Sequence, residues 1–269
     1  MAKMTLIIRP QPDADRDVAL LKRYGVPAIA SPSLERMNQT YELSESFDFS
    51  GIILTSRNAV ETIIKFDKSN AESSRWAELP AFVVGSATAA AARDAGFSNI
   101  IRGAGGGAGL LAPIRCYFTK KIDKQDSGKL SNTNKPLFWP SAVEISFDLV
   151  AALATHGIAV QRLPVYQMIA NDGMDSIIVD KITQGAISAV VAMSPRSVQI
   201  FRRNLDAAGQ ASSLAGMVLI AGSSAIVAAA GGGWQTVYTA RQPRRSRLLA
   251  IAVLSHQRNN LSMSYGDYA

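Results

Sequence analysis

Two short phrases of this sequence recur in its second half, and this repetition constrains the fold more than any other feature. "GIILTSRNAV" from Gly51 resembles "AVVAMSPRSV" from Ala189, and "AFVVGSATAAAA" from Ala81 resembles "VLIAGSSAIVAAA" from Val218. The members of both pairs are separated by nearly the same number of residues. In each phrase an apolar run breaks into small residues, at least one of which bears a hydroxyl. The repetition therefore predicts two similar halves.

Short apolar runs alternate with helix-like stretches along the whole chain. Residues 5–8 are expected to form a buried strand, residues 13–23 a helix that Gly25 ends, and residues 26–29 a second strand. This alternation is typical of α/β proteins with parallel strands. We therefore predict two similar parallel-sheet α/β domains.

Polar, extended segments flank one copy of the repeat and indicate that one domain is inserted into the other. The lysine-rich segment 119–136 has the composition of a solvated surface loop. The predicted arrangement is an outer domain of residues 1–33 and 173–255, a two-stranded β ribbon of residues 34–46 and 160–172, an inserted domain of residues 47–159, and a C-terminal tail of residues 256–269.

The balance of charges points to an anionic partner. The chain carries 28 Lys and Arg against 21 Asp and Glu, a formal net charge of +7. Such a surplus attracts anions in general and does not distinguish among them. The only dense basic run, residues 241–247, contains no aromatic residue, so we expect no nucleic-acid partner.

Cysteine and histidine are too scarce for a disulfide framework or a metal centre. Cys116 is the single cysteine, and His156 and His256 are the only histidines. We therefore expect no metal. The first residues do not resemble a signal peptide, and serines and glycines divide the uncharged stretch 207–240, so we expect a cytoplasmic protein with no membrane partner.

Hydroxyl residues follow the apolar run in each of the four repeated phrases. Junctions between a strand and a helix carry unpaired N–H groups and the positive end of the helix dipole. Their hydroxyls serve either as simple N-caps or, with the amides, as holders of an anion; the sequence leaves both interpretations open. Because parallel α/β sheets bind ligands at the carboxyl ends of their strands, the candidate binding residues are Thr55, Ser56, Ser86, Thr88, Ser194, Ser223 and Ser224.

The glycine-rich runs do not indicate a nucleotide site. Residues 103–109 and 231–233 match neither the dinucleotide fingerprint nor the P-loop, and we expect their glycines to relax loops. The sequence also lacks a Gly-x-Ser-x-Gly elbow and an evident Ser-His-Asp set. No cofactor is expected.

Tyr166, on the predicted ribbon, is the remaining candidate for chemistry. A phenol that faces a cleft can donate a proton or a hydrogen bond to a leaving hydroxyl. The same tyrosine can equally pack as a half-buried strand residue, and the pattern does not separate the two interpretations.

Six motifs follow one another in order: "RP" at Arg9, "LTSRNAVE" at 54–61, "VGSATAAAARDAGF" at 84–97, "LPVYQM" at 163–168, "MSPRSVQIF" at 193–201 and "GSSAIVAAAGG" from Gly222. Their ordered combination resembles the uroporphyrinogen-III synthase family. The resemblance implies two α/β domains joined by a ribbon, the second inserted in the first. It also implies that Arg9 and Arg57 join the substrate-binding residues and that Tyr166 is catalytic.

The resemblance further implies a lyase of haem biosynthesis. Its substrate would be hydroxymethylbilane, a linear tetrapyrrole with many carboxylate arms, which is dehydrated and cyclised with inversion of the terminal pyrrole ring. One departure stands out, since Pro140 and Ser141 occupy the place where bacterial relatives usually have Arg-Gly. The alternative function is a non-catalytic, two-lobed binding protein for a carboxylated small molecule. We expect a monomer in either case.

Overall fold

The computed structural model describes residues 3–40, 48–69, 76–123, 135–242 and 244–266. Strands and helices alternate through most of this part of the chain. The strands are β1 (Met4–Ile7), β2 (Ala28–Ala30), β3 (Leu34–Asn38), β4 (Gly51–Leu54), β5 (Ala81–Val84), β6 (Ile100–Gly103), β7 (Leu137–Ala142), β8 (Val160–Ala170), β9 (Ile187–Ala192), β10 (Val218–Ala221) and β11 (Thr236–Thr239).

The helices fall mainly between successive strands, as the alternation of the sequence predicts. Two short 3-10 helices, Ala108–Leu110 and Ala211–Gly216, accompany them. The α-helices are α1 (Asp13–Arg23), α2 (Arg57–Ser69), α3 (Gly85–Asp94), α4 (Leu111–Asp123), α5 (Leu149–Ala154), α6 (Ser176–Thr183), α7 (Pro195–Ala207), α8 (Ser224–Ala230) and α9 (Arg245–Gly266).

The chain divides into two compact units, and one of them is discontinuous. The first unit contains Met1–Arg36 and Ile169–Ala269, and the second contains Met37–Met168. Both divisions fall inside strands, β3 and β8. The second unit is therefore larger than the inserted domain of residues 47–159 that the sequence suggests, because most of the proposed ribbon belongs to it.

The first unit is built on a five-stranded sheet of order β11-β10-β9-β1-β2. All of its neighbouring strands pair in parallel. Apolar side chains of α6, α7 and α8 cover one face of this sheet, and those of α1 and α9 cover the other. Because both faces are covered, the central strand β9 is buried along its whole length.

The second unit is built on a six-stranded sheet of order β3-β8-β7-β4-β5-β6. From β8 to β6 the neighbours pair in parallel. Helices α2 and α3 pack on one face with Phe138 and Leu54, and α4 and α5 pack on the other with Trp139 and Ile53. The predicted fold class, two parallel-sheet α/β domains, is confirmed.

The edge strand β3 runs antiparallel to β8. Gln39 N donates to Val165 O at 3.0 Å, and Asn171 N donates to Ser33 O at 3.0 Å, so the residue numbers change in opposite directions along the pair. β8 thus has one antiparallel neighbour and one parallel neighbour. The described residues of the two predicted ribbon segments are part of a larger sheet.

Three expectations from the sequence are corrected. Residues 256–266 of the predicted C-terminal tail continue helix α9, because no proline or glycine interrupts the chain before Gly266. Residues 119–123 end helix α4, while 124–134 of the lysine-rich segment lie outside the described residues. Gly103 does not relax a loop, since a Cβ there would lie 2.6 Å from the carbonyl oxygen of Gly109.

Among the residues that the structure describes, no helix has the length and apolarity needed to cross a membrane.

Candidate functional site

Ser56 and Tyr166 meet at the carboxyl end of β4 in the second unit. Their hydroxyl oxygens lie 2.9 Å apart. Ser56 also accepts a hydrogen bond from the backbone N–H of Ala59 at 3.1 Å, so it caps helix α2. A single hydroxyl thus joins the start of a helix to the predicted catalytic tyrosine.

A β-bulge in β8 directs Tyr166 towards Ser56. The register with β7 shifts between Ser141, which pairs with Pro164, and Ala142, which pairs with Tyr166. Before the shift Leu163 faces the α2 and α3 side of the sheet, and after it Tyr166 faces that same side. Without the extra residue, alternation along the strand would turn the phenol to the opposite face.

Tyr166 is held mainly by apolar packing. It is only 6% exposed and belongs to a cluster with Leu54, Phe138 and Val165. Its backbone oxygen also accepts a hydrogen bond of 2.8 Å from Val143 N. The phenol is therefore positioned by closely packed surroundings, with its oxygen at the hydroxyl of Ser56.

Thr55 points to the other face of the same strand end. Its hydroxyl accepts a hydrogen bond of 3.4 Å from the indole N–H of Trp139. Trp139 is almost fully buried among the residues that contact α4 and α5. Thr55 and Ser56 thus fasten the end of β4 to β7 and to β8 respectively. Arg57, the next candidate, is the half-buried first residue of α2.

Helix α3 begins directly at the end of β5, where Gly85 has φ +73°. Its first turn carries the other two candidates of the second unit. Ser86 is exposed and Thr88 is buried, and no side chain caps this helix. The first N–H groups of α3 are therefore not capped by a side chain, which is the arrangement that suits an anion.

The first unit holds the repeated counterparts. Ser194 caps α7, accepting from Ser197 N at 3.4 Å, and Ser223 caps α8, accepting from Ile226 N at 3.4 Å. Ser224 is the exposed first residue of α8. At Ser194 and Ser223 the structure shows N-capping, which is one of the two roles that the sequence leaves open for these hydroxyls.

Arg9 lies in an ion-pair network of the first unit. Its guanidinium donates to Asp17 at 3.0 Å and to Asp13 at 2.6 Å. Asp17 is fully buried and is also paired with Arg245. This network gives Arg9 a structural role in joining β1, α1 and α9, which the motif alone did not reveal.

Arg162 is a residue that the sequence reasoning missed. It pairs with Trp139 in the register of β7 and β8, and its guanidinium lies over the Trp139 ring at 5.7 Å. It donates to the hydroxyl of Ser141 and to the carbonyls of Ala142 and Val143. Nothing in the sequence singles Arg162 out, since a lone arginine in a strand pattern does not show which groups it contacts.

Within the described ranges, no three His, Cys, Asp or Glu side chains are grouped as a metal site would require. The group shown at the Tyr166 oxygen is the hydroxyl of Ser56. Hydroxyl groups can donate hydrogen bonds to carboxylates.

A family model described as "Uroporphyrinogen-III synthase HemD" matches residues 15–250. The chain belongs to the uroporphyrinogen-III synthase family. Members of the family are enzymes of tetrapyrrole biosynthesis that act on a small molecule, and the resemblance drawn from the six motifs is confirmed.

Solved structures of uroporphyrinogen-III synthases share the fold. The uroporphyrinogen-III synthetase from Helicobacter pylori is 17% identical, with a TM-score of 0.61 over 93% of this chain and 98% of that one. A mutant uroporphyrinogen III synthase from the extremely thermophilic bacterium Thermus thermophilus is 15% identical, with a TM-score of 0.52 over 97% and 99%. No curated protein matches the sequence significantly.

Proposed function

We propose that the chain is a cyclising hydro-lyase that converts hydroxymethylbilane into uroporphyrinogen III. Family membership favours turnover over the binding-only alternative. The observation that carries the proposal is the 2.9 Å contact between Ser56 and Tyr166 at the carboxyl end of β4. It brings the one candidate acid of the sequence to a strand end of the kind where parallel α/β sheets bind ligands.

The proposed reaction begins with the loss of the substrate's hydroxyl group as water. The carbon–oxygen bond breaks, the hydroxyl takes up a proton, and the electron pair of the adjacent pyrrole nitrogen stabilises the azafulvene cation that remains. The substituted carbon of the terminal pyrrole ring attacks this cation and forms a spiro intermediate. That intermediate fragments and recloses with the ring inverted, and loss of a proton restores the aromatic pyrrole.

Tyr166 is the proposed donor to the departing hydroxyl. Ser56 already accepts a hydrogen bond from Ala59 N, and a serine hydroxyl has one proton to give. If Ser56 donates that proton to the oxygen of Tyr166, the phenol proton is left for an acceptor other than Ser56. Proton transfer of this kind contributes about 10²–10⁴-fold to a rate.

Orientation is the larger catalytic resource in this proposal. Free hydroxymethylbilane closes without inversion, so the enzyme must hold the chain where the substituted carbon attacks. Holding reacting groups in place contributes about 7–11 kcal/mol in favourable cases. The proposed holders of the carboxylates are the amide-rich turns at Thr55, Ser56, Arg57, Ser86, Thr88, Ser194, Ser223 and Ser224, together with Arg9.

We propose that the enzyme works as a monomer in the cytoplasm and uses no cofactor. The free, exposed thiol of Cys116 is compatible with a reducing compartment. Gel filtration with light scattering at micromolar concentration tests the monomer, and a stable dimer would contradict it.

The deciding experiment supplies freshly prepared hydroxymethylbilane to the purified chain and identifies the product isomer after oxidation to the porphyrin. The inverted isomer, formed faster than the spontaneous product, is expected. If only the non-inverted macrocycle forms, at the rate seen without protein, the proposed function is wrong.

A further inference from the structure

Arg162 presents a cation that no carboxylate of the described chain neutralises. It forms no ion pair among the described residues, although Arg9, Arg16, Arg203 and Arg245 all pair with aspartates. Its contacts are the hydroxyl of Ser141 and two carbonyl groups, all neutral acceptors. A half-buried guanidinium with no anionic partner is poised for an anionic ligand.

The donors of Arg162 are only partly used. Nε donates to Ser141 Oγ at 2.9 Å, and Nη2 donates to Ala142 O at 2.8 Å and to Val143 O at 2.6 Å. A guanidinium has five N–H groups, so the two on Nη1 have no acceptor among the described residues. The charge and two donors therefore remain for a ligand.

The side chain is also held rigidly. Three hydrogen bonds and the contact with the Trp139 ring fix its position. Trp139 in turn donates to Thr55, a candidate binding residue at the end of β4. A group that is immobilised before binding loses less side-chain entropy when it takes up a ligand.

Strand β7 itself carries no cationic side chain, since its sequence is LFWPSA. Arg162 reaches from β8 across to the carboxyl end of β7 and donates to Ser141. The positive charge at this strand end is thus supplied by the neighbouring strand.

We propose that Arg162 binds a carboxylate arm of the substrate through Nη1. This inference rests on the proposed function, because the ligand is the linear tetrapyrrole polycarboxylate. The carboxylate lies on a peripheral arm that stays intact during the reaction, so the contact is the same in the ground state and in the transition state. Its loss should therefore raise KM and leave kcat nearly unchanged.

The test compares Arg162→Gln and Arg162→Lys with Arg93→Gln, using hydroxymethylbilane as the probe. Gln keeps a donor for the carbonyls but removes the charge, and Lys keeps the charge. Arg93 is exposed in the last turn of α3, so its variant removes the same charge from the same unit. Thermal unfolding of each variant reports whether it folds.

We expect Arg162→Gln to raise KM about tenfold or more, with kcat within about twofold and the product still inverted. Arg162→Lys should recover part of the affinity, and KM of the Gln variant should depend less on salt. Arg93→Gln should behave as the unaltered chain. These results together would support the carboxylate contact, because a purely structural arginine would not alter the salt dependence of KM.

An unchanged KM in Arg162→Gln, or a fall in kcat alone in both Arg162 variants, would overturn the inference. Equal effects of the Arg162 and Arg93 variants would also overturn it, because they would reflect net charge only. If the unaltered chain forms the inverted product and the KM of Arg162→Gln equals that of the unaltered chain, this inference fails and the proposed function stands. If the unaltered chain forms none, the proposed function fails first.

Discussion

The hydroxyl of Ser56 bonds to the phenol of Tyr166, a residue 110 positions later in the chain, at 2.9 Å. Ser56 follows the end of β4, and Tyr166 belongs to the bulged part of β8. β7 lies between these two strands in the sheet. The contact therefore reaches across a strand and depends on both the cap of α2 and the bulge.

Replacing Tyr166 by Phe tests the proposed proton donor. We expect kcat to fall about 100-fold, the lower end of what general acids contribute, because an electron-rich pyrrole already favours departure of the hydroxyl. The product isomer should remain inverted, since the ring packing of Tyr166 is kept. Stopped assays with isomer separation measure both quantities.

Tyr117→Phe is the matched control, because Tyr117 packs on the other face of the same sheet against Phe82. It should leave the rate unchanged. A Tyr166→Phe enzyme as fast as the unaltered chain would remove the phenol from the mechanism.

Replacing Ser56 by Ala removes a helix cap and a hydrogen-bond partner of Tyr166 together. We expect a loss of about 1 kcal/mol in the free energy of unfolding, which is typical of an N-cap. We also expect a lower kcat, because the phenol loses its hydrogen bond with Ser56. Urea unfolding and steady-state kinetics measure the two effects.

Asp148→Ala provides the comparison for Ser56→Ala. Asp148 caps α5 in the same unit by accepting hydrogen bonds from Val150 N and Ala151 N, and it forms no hydrogen bond with Tyr166. The Asp148→Ala variant should lose a similar free energy of unfolding and keep the kcat of the unaltered chain. Should both variants lower kcat equally, the effect of Ser56 would be one of stability only.

Asp17→Asn tests the ion-pair network around Arg9. Asp17 is fully buried and bonds to both Arg9 and Arg245. Removing its charge leaves the largely buried Arg9 with one carboxylate fewer, and we expect a loss of about 3 kcal/mol in the free energy of unfolding. Urea denaturation measures the change.

Asp15→Asn, on an exposed position of the same helix, should change stability by less than about 0.5 kcal/mol. If Asp17→Asn is equally mild, the network does not hold β1, α1 and α9 together. The role of Arg9 as a substrate residue would then be the simpler interpretation.

Gly103→Ala tests the close packing at the end of β6. The added Cβ would lie 2.6 Å from the carbonyl oxygen of Gly109 and 2.8 Å from a methyl group of Leu110. Since backbone must shift to admit it, we expect a loss of about 2 kcal/mol, measured by urea unfolding. Gly216→Ala, where a Cβ meets nothing within 4 Å, should cost far less; equal costs would show that packing is not the cause.

The fold class could be predicted from the sequence because it depends on local patterns. Apolar runs such as residues 187–192 become fully buried strands, and hydroxyls after them become N-caps, as at Ser194 and Ser223. The continuation of α9 to Gly266 was missed because a polar helix has no apolar face to reveal it.

The site could be predicted only in part. Ser56 and Tyr166 were both candidates, but nothing in either motif indicates that they touch. Arg162 was not a candidate at all, since a lone arginine in a strand pattern does not show which carbonyls it meets. Arg9 was chosen from its motif, and its aspartate partners became visible only when α1 packed beside β1.

The sequence by itself determined the alternation of strands and helices, the doubling of the α/β unit and the family, because each is encoded in residues that are neighbours in the chain. Only the tertiary structure decided which way Tyr166 faces, what Ser56 bonds to and where the charge of Arg162 lies. The physical reason is that a one-residue bulge and the order of strands in a sheet bring distant residues together, and neither leaves a local pattern.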